Sequence, residues 1–205
     1  MTQKIGVYTK NVDDVWYGVA CNDKEIFATS FATNEKRTIE YLRGSVPDDT
    51  ELQFCSTPTA FAERALNSVR NVYEGKGELG SVPLATEVLS PFRKNVLEVC
   101  RLIPVGYVTS YGALSDAAGG SPRAVGGVMA SNPFAPIVPC HRVVKSDFTL
   151  GGFGGGLPLK EAMLTREKRG NNLPKEIPVG AKSLRIFPVE FSLEKLQKEK
   201  EAKKP

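Results

Sequence analysis

Pro139-Cys140-His141-Arg142-Val143-Val144 holds the only histidine in the chain, set directly after a cysteine. An Asn132-Pro133 break precedes it, and a glycine-rich run, Gly151-Gly152-Phe153-Gly154-Gly155-Gly156, follows it. Free cysteine titrates near ~8.5, and only its thiolate attacks well. An imidazole is the side chain suited to take that proton near neutral pH. The chain thus places its one such base beside one of its four thiols. On these two residues alone the reading stays open. An adjacent Cys-His pair also arises by chance, free cysteine usually packs as a small buried hydrophobe, and a catalytic cysteine is usually distant in sequence from its base.

Working outward, Ser90-Pro91 starts a helix, with an N-cap followed by proline at the first helical position. Phe92, Val96, Val99, Cys100 and Ile103 share one face of it, and Pro104-Val105-Gly106 closes it. Thr109 or Ser110 caps a second short helix through Ala118, stopped by Gly119-Gly120. Ser121-Pro122 opens a third, running to about Ser131. The second and third make a helix-turn-helix candidate or an ordinary helical hairpin. The third helix carries one long polar side chain, Arg123, and no Asn, Gln or Lys to contact base edges. It could press close to a backbone or a groove floor but could not read a sequence from the major groove. Its glycines cost ~1 kcal/mol each against alanine, so close approach is their motive, either to a ligand or to a neighbouring helix. Val143–Lys145 and Phe148–Leu150 flank Ser146-Asp147 as a small hairpin, or wing. The glycine run does not fit a dinucleotide-binding register. Leu157-Pro158 opens a last helix over 158–169, with Gly170 as its stop.

Before this region, residues 4–9, 15–21 and 25–32 are short, apolar-rich runs separated by polar clusters, which predicts a strand meander. Helices are predicted over 34–43, capped by Asn34, and over 58–73, capped by Thr57; residues 82–88 read as a strand or linker. The organisation expected is an α/β scaffold over 1–84, a mainly α domain over 85–170 and a charged tail over 171–205. From Glu194 to Lys204 only Leu196 is a large apolar residue, and with Leu193 it is the sole anchor. The tail is therefore expected to be disordered or a solvated helix.

Length allows one or two domains that fold unaided. No apolar run approaches the ~20 residues of a membrane span, and no signal-peptide core stands at the N-terminus. Cysteines 21, 55, 100 and 140 show no CxxC spacing and read as reduced thiols of an intracellular protein without a zinc site. The net charge is +4, made of −3 over residues 1–84, +4 over 85–170 and +3 over 171–205. That distribution directs a polyanion to the second half, although imbalances of this size also occur as ordinary surface charge.

Ser110-Tyr111, Pro122-Arg123-Ala124-Val125-Gly126-Gly127, Asn132-Pro133, Pro139-Cys140-His141-Arg142-Val143, the pattern Gly-x-x-x-Gly-Gly-Leu157, and Glu167 resemble the O6-alkylguanine-DNA alkyltransferases in order and spacing. The match is strong over roughly 85–170; the first domain agrees only in coarse pattern. The resemblance implies a ribonuclease H-like N-terminal α/β domain and a winged helix-turn-helix-like C-terminal domain. It implies DNA repair by a methylated-DNA–[protein]-cysteine S-methyltransferase. An alkyl group moves from guanine O6, and from thymine O4, onto the protein's own cysteine once per molecule. The partner implied is double-stranded DNA carrying an alkylated base, bound through the minor groove by a monomer. No cofactor, metal or membrane is implied. The compartment is the nucleus in a eukaryote and otherwise the cytoplasm.

By the same resemblance Cys140 is the acceptor, His141 the base acting through a bound water, and Glu167 the carboxylate orienting it. Asn132 is the hinge between the helix-turn-helix and the active-site turn. Tyr111 helps rotate the nucleotide and protonates the departing guanine. Arg123 enters the duplex where the base has left, with Ser121, Ala124 and Gly126 beside it on the DNA. Pro136, Val143, Val144, Phe153 and Gly154 line the substrate pocket. A strict strand would point Cys140 and His141 to opposite faces, so a turn is predicted at Pro139-Cys140. Many relatives have tyrosine where this chain has Phe153, and often serine at Gly154, which leaves a backbone N–H as the donor to guanine O6. The tail has no strong counterpart in the family. Alternatives are a relative that binds alkylated DNA without transfer, which typically has tryptophan at the acceptor position, a helix-turn-helix regulator, and a Cys-His hydrolase.

Overall fold

A computed structural model describes residues 4–77 and 82–202. The parts of the expected scaffold and tail at 1–3, 78–81 and 203–205 lie outside the described residues. The chain divides into two compact α/β units: Met1–Tyr73, Glu78–Val88 and Ser131–Ile137 form one, and Glu74–Gly77, Leu89–Ala130 and Val138–Pro205 the other.

In the first unit the apolar runs form β1 (Lys4–Val12), β2 (Val15–Cys21) and β3 (Ile26–Ala32), an antiparallel meander. The β1–β2 turn is Asp13-Asp14, with φ of 52° and 61°, a left-handed pair that matches the twist of the strands it joins. β4 (Glu51–Phe54) adds in parallel to β1, giving the order β3-β2-β1-β4. β4 escapes a sequence reading because it is short and largely exposed, and its pairing is long-range. Asn34 caps α1 (Glu35–Ser45), accepting from Arg37 N at 2.9 Å. Leu42 and Val46 pack with Ile5, Val7, Ala20 and Ala28 on the sheet. α2 (Ala60–Tyr73) begins later than predicted, and its first-turn acceptor is Thr59, which receives Ala62 N at 3.2 Å, in place of Thr57. On the far face, Tyr73 meets Tyr17 edge-on at 5.7 Å. Residues 82–88 make one bridge, Leu84 to Ile26, and a 3₁₀ turn.

The second unit contains α3 (Pro91–Arg101), β5 (Tyr107–Ser110), α4 (Tyr111–Ala118), α5 (Pro122–Ala130), β6 (Val143–Val144), α6 (Leu157–Arg166), β7 (Lys175–Val179), β8 (Lys182–Pro188) and α7 (Val189–Glu201). Ser110 caps α4 by accepting from Ala113 N at 3.0 Å, and Ser121 accepts from Ala124 N at 3.3 Å. Among the described residues, no helix is long and apolar enough to cross a membrane.

Four expectations are corrected here. The second unit, though rich in helix, carries a four-stranded sheet that was not expected, in the order β6-β5-β8-β7. Residues 131–137 belong to the first unit: Thr29 N donates to Pro133 O, and Thr29 Oγ1 to Ala135 O, both at 2.8 Å. Phe148–Leu150 is no strand; Lys145 N bonds Thr149 O at 2.9 Å to close a tight turn, while β6 pairs in parallel with β5.

The fourth correction is the tail. Residues 175–201 form β7, β8 and α7, and β8 pairs antiparallel with β5. Leu184 and Ile186 alternate with exposed or half-exposed Ser183 and Arg185, so one face of β8 is buried. Leu193 and Leu196, with Phe148 and Phe187, pack against Val108, Val144, Leu150, Leu164 and Val189. The charged stretch looked unanchored because its partners lie on β5, β6 and α6, distant in sequence. Ile186→Ala is expected to cost about 2–5 kcal/mol of unfolding free energy in a urea titration, whereas Gln197→Ala on the outer face should change it by less than about 0.5 kcal/mol.

Candidate active site

Cys140–Arg142 forms a 3₁₀ turn entered from Pro139 at φ −82°, ψ 65°. Cys140 N bonds Val138 O, and Arg142 N bonds Pro139 O, each at 2.8 Å. The predicted turn is therefore present, and strand alternation does not separate Cys140 from His141. Val143 N closes the turn onto Cys140 O, after which the chain straightens into β6. Cys140 keeps 8% exposure, while His141 is fully buried. A group reaching the sulfur must be delivered to it.

Glu167 sits at the C-cap of α6, not inside the helix. Its Oε1 accepts from His141 Nε2 at 2.8 Å. The same carboxylate receives Arg142 Nε at 2.9 and 3.1 Å on its two oxygens and Nη2 at 2.8 Å. Arg142 Nη1 donates to Ile103 O at 2.6 Å, which ties the end of α3 into the cluster. Burial alone would raise the Glu167 carboxyl. The charge and hydrogen bond of His141, then those of Arg142, reverse this and hold it at about 2. Its ionised form thus adds stability above about pH 4.5, and that contribution is lost as pH falls towards 2. His141 is pushed the other way. Burial lowers its pKa below 6.5, Glu167 opposes this by charge and hydrogen bond, and Arg142 and Lys160 add to the lowering. Near neutral pH the ring is uncharged. With Glu167 ionised, Nε2 carries the proton and Nδ1 presents a lone pair. Nδ1 is buried and has no hydrogen-bond partner among the described residues.

Lys160 is fully buried on α6. Its ammonium donates to Val143 O at 2.6 Å, to Leu150 O, and to Gly152 O at 3.5 Å, stitching β6 to the glycine run. Burial lowers its pKa to about 8, against the opposing influence of Cys140 and Cys100. Tyr111, half-buried at the start of α4, points its hydroxyl to Gly152 O at 3.5 Å. Burial, then the neighbouring Cys140 and Cys100, raise its pKa, so it stays a proton donor. The run must be glycine where it meets this ring. Gly151 has φ +66°, and a Cβ there would come within 3.1 Å of Tyr111. Val143 and Val144 are buried, Phe153 is half-buried and Gly154 is exposed.

Cys100 lies on the buried face of α3, its sulfur 3.7 Å from Met129 Sδ. Burial raises its pKa well above the usual thiol value, which makes it a poor nucleophile. Asn132 and Pro136 fall in the first unit. Asn132 is buried, its Oδ1 accepts from Phe134 N at 3.0 Å, and its carbonyl accepts from the Tyr41 hydroxyl at 3.0 Å. Pro136 is buried. Ser121, Arg123 and Ala124 are exposed on the first turn of α5, and Gly126 is half-buried behind them. No group of three or more His, Cys, Asp or Glu among the described residues could hold a metal ion.

The structure brings Cys140, His141, Glu167 and Tyr111 into one unit and adds two residues that sequence reasoning missed. Arg142 stood inside the central motif, and an arginine between apolar residues entering a core requires a buried anion. Lys160 had no such signal, because its acceptors are backbone carbonyls.

A family model for the DNA-binding domain of 6-O-methylguanine DNA methyltransferase matches residues 91–169. A methylated-DNA–protein-cysteine methyltransferase of Thermococcus gammatolerans is 32% identical over 165 residues, 77% of this chain and 91% of the relative. One of Pyrobaculum aerophilum is 55% identical over 65 residues, 32% of this chain and 44% of the relative. The chain thus spans about half the length of several of the curated relatives it matches. A DNA base-flipping protein of Thermus thermophilus is 41% identical over 109 residues, 53% of this chain and 74% of the relative. Among solved structures, the O6-methylguanine-DNA methyltransferase of Pyrococcus kodakaraensis matches with a TM-score of 0.62 at 29% identity, over 80% of this chain and 98% of that one. Mycobacterium tuberculosis OGT in complex with DNA matches with a TM-score of 0.59 at 27% identity, over 81% and 93%. Most of the Thermococcus protein's length is aligned here at 32% identity, and the chain belongs to the methylated-DNA–protein-cysteine methyltransferase family.

Proposed function

We propose that this protein repairs double-stranded DNA by moving an alkyl group from guanine O6 to the Cys140 sulfur in a single, irreversible turnover. One observation carries the reading: a cysteine of narrow exposure adjoins a neutral, fully buried histidine whose Nε2 is fixed by Glu167 and whose Nδ1 is left open. The Cys140 proton passes to His141 Nδ1 through a bound water. The thiolate then forms a C–S bond to the alkyl carbon as the C–O6 bond breaks. The released electron pair goes to guanine, and Tyr111, kept protonated by its surroundings, supplies the proton that guanine needs to leave. Glu167, held at about 2, orients the imidazole and does not take its proton. The product is a thioether, which the protein has no means to reverse, so each molecule acts once.

A base inside a duplex offers its O6 substituent no line of attack and must be turned out, at a cost of a few kcal/mol that a damaged base reduces. α5 suits that task. Among the described residues, a Cβ at Gly126 or Gly127 would meet nothing within 4 Å beyond its own helix, so packing against them does not require these glycines. Their use is close approach to DNA through the minor groove, with Arg123 entering the gap and Ser121 and Ala124 beside it. Asn132, between α5 and the Cys140 turn in sequence, serves as the hinge. Val143, Val144, Phe153 and Gly154 line the pocket, with the Gly154 backbone N–H as the donor to guanine O6. The finer architecture consistent with this use is a ribonuclease H-like first unit and a winged helix-turn-helix-like second unit. The protein works as a monomer inside the cell; Cys140, His141, Glu167 and Tyr111 all come from one unit of one chain, so the site needs no second copy to supply them. O4-alkylthymine is a second substrate. The base-flipping relative favours one alternative, recognition of alkylated DNA without transfer, but a thiol at position 140 speaks for transfer.

With duplex carrying radiolabelled O6-methylguanine, the wild type should take up one label per molecule on Cys140 and Cys140→Ala none. Repeated turnover, or label on Cys21, Cys55 or Cys100, overturns the reading. His141→Ala should slow transfer by about 10²–10⁴-fold. Because His141 acts only when neutral, the wild-type rate should stay level as pH falls to 6.5 and drop only below it. In Glu167→Gln the acid limb should move lower still and the plateau fall, because the group opposing the burial effect is gone. Gly127→Ala should raise thermal stability by up to about 1 kcal/mol while weakening binding to undamaged duplex in fluorescence anisotropy.

A further inference from the structure

Residues 171–201, beyond the segment matched by the family model, reach back to the turn that carries Glu167. α6 stops at Arg166 with Glu167 as its cap; Lys168 N still bonds Thr165 O at 3.3 Å, and Arg169 N and Gly170 N, past the helix, take an acceptor from elsewhere. Glu190, in the first turn of α7, supplies one: its Oε1 accepts from Arg169 N at 3.2 Å and from Gly170 N at 2.7 Å. The side chain is 9% exposed, and its Oε2 is buried with no hydrogen-bond partner among the described residues. An anion near the C-terminus of α6 opposes that helix's dipole, while the same anion favours the N-terminus of α7. A buried, half-satisfied carboxylate in that place is costly unless the contact it makes has a use.

Two further contacts show what the contact holds. Val189 N donates to Gly106 O at 3.0 Å, one residue before Glu190 and at the head of β5. Gly106 has φ +83°, and a Cβ there would meet Asn171 Nδ2 at 2.8 Å, Arg169 Cγ at 3.1 Å and Glu167 O at 3.3 Å. The start of α7, the start of β5 and the backbone of Glu167 therefore converge. We propose that Glu190 is a positioning residue for Glu167, and that the C-terminal extension is thereby part of the alkyl-transfer apparatus. Glu190 has this role only if Cys140, His141 and Glu167 carry the transfer as set out above.

The test uses the full chain and single-turnover transfer from a saturating O6-methylguanine duplex, well below the unfolding midpoint. Glu190→Ala should slow transfer on the order of tenfold or more, with unchanged affinity for the duplex, and shift the acid limb of the pH profile towards that of Glu167→Gln. Glu190→Gln, which keeps an acceptor oxygen, should restore most of the rate. The double variant Glu190→Ala/Glu167→Gln should be no slower than Glu167→Gln alone, because the two changes remove one interaction. A wild-type rate in Glu190→Ala, or fully multiplicative losses in the double variant, overturns the assignment. If Glu190→Ala does not fold, Glu190→Asp, one methylene shorter, is measured in its place with the same expectation. Failure of the parent reading shows separately, as a wild type that takes no label on Cys140.

Discussion

A buried carboxylate holding a histidine and an arginine at once is the constraint on which the second unit depends. Removing an ion from water costs several kcal/mol, and Glu167 is fully buried, so it must be met on more than one side. Arg142 supplies the permanent charge, leaving His141 free to be neutral and still hydrogen-bonded. Removing Arg142 would leave Glu167 with His141 as its main partner and favour the charged imidazolium, which cannot accept the thiol proton. The same arginine reaches Ile103 O, so the electrostatics of the site also join the ends of α3 and α6. The geometry of the proposed site and the stability of the unit are one arrangement here.

Around this cluster the short strand β5 is the shared support. β6, which follows directly from the Cys140 turn, lies on one edge of it, and β8 from the C-terminal extension lies on the other. Ser110 ends the strand and caps α4, which fixes where Tyr111 begins. Lys160 closes the same region from α6 by donating to carbonyls on β6 and the glycine run. A buried ammonium whose hydrogen bonds among the described residues all go to carbonyls holds backbone without adding a competing anion beside the sulfur. That is why a thiol, a phenol and a lysine can share the region without a second carboxylate.

The proposed reaction makes its own demands on the fold. A protein that would act once has no need to release product, but it must keep its sulfur from adventitious alkylation and oxidation beforehand. The 8% exposure of Cys140 serves that end, and the raised pKa of buried Cys100 keeps a second thiol from competing. The proposed recognition follows the same economy. A helix of small residues with one arginine suits approach and insertion, which would not depend on the surrounding sequence.

The sequence by itself determined the local features: the Cys140-His141 pair, the Ser121 cap, a cap at Thr109 or Ser110, the glycine stops and the strand meander, since each depends on neighbours a few residues away. Its motif order carried the family and named Glu167. The tertiary structure decided what depends on distant pairing. Glu167 proved to be shared with Arg142, which a one-dimensional reading could not see because the two are brought together only by the end of α6. Lys160 was invisible because carbonyl acceptors exist at every position. Residues 171–201 read as a solvated tail because their charges are local, whereas the alternation of Leu184 and Ile186 acquires meaning only when β5 offers an edge. Local chemistry is written along the chain, but burial belongs to the surface a segment meets.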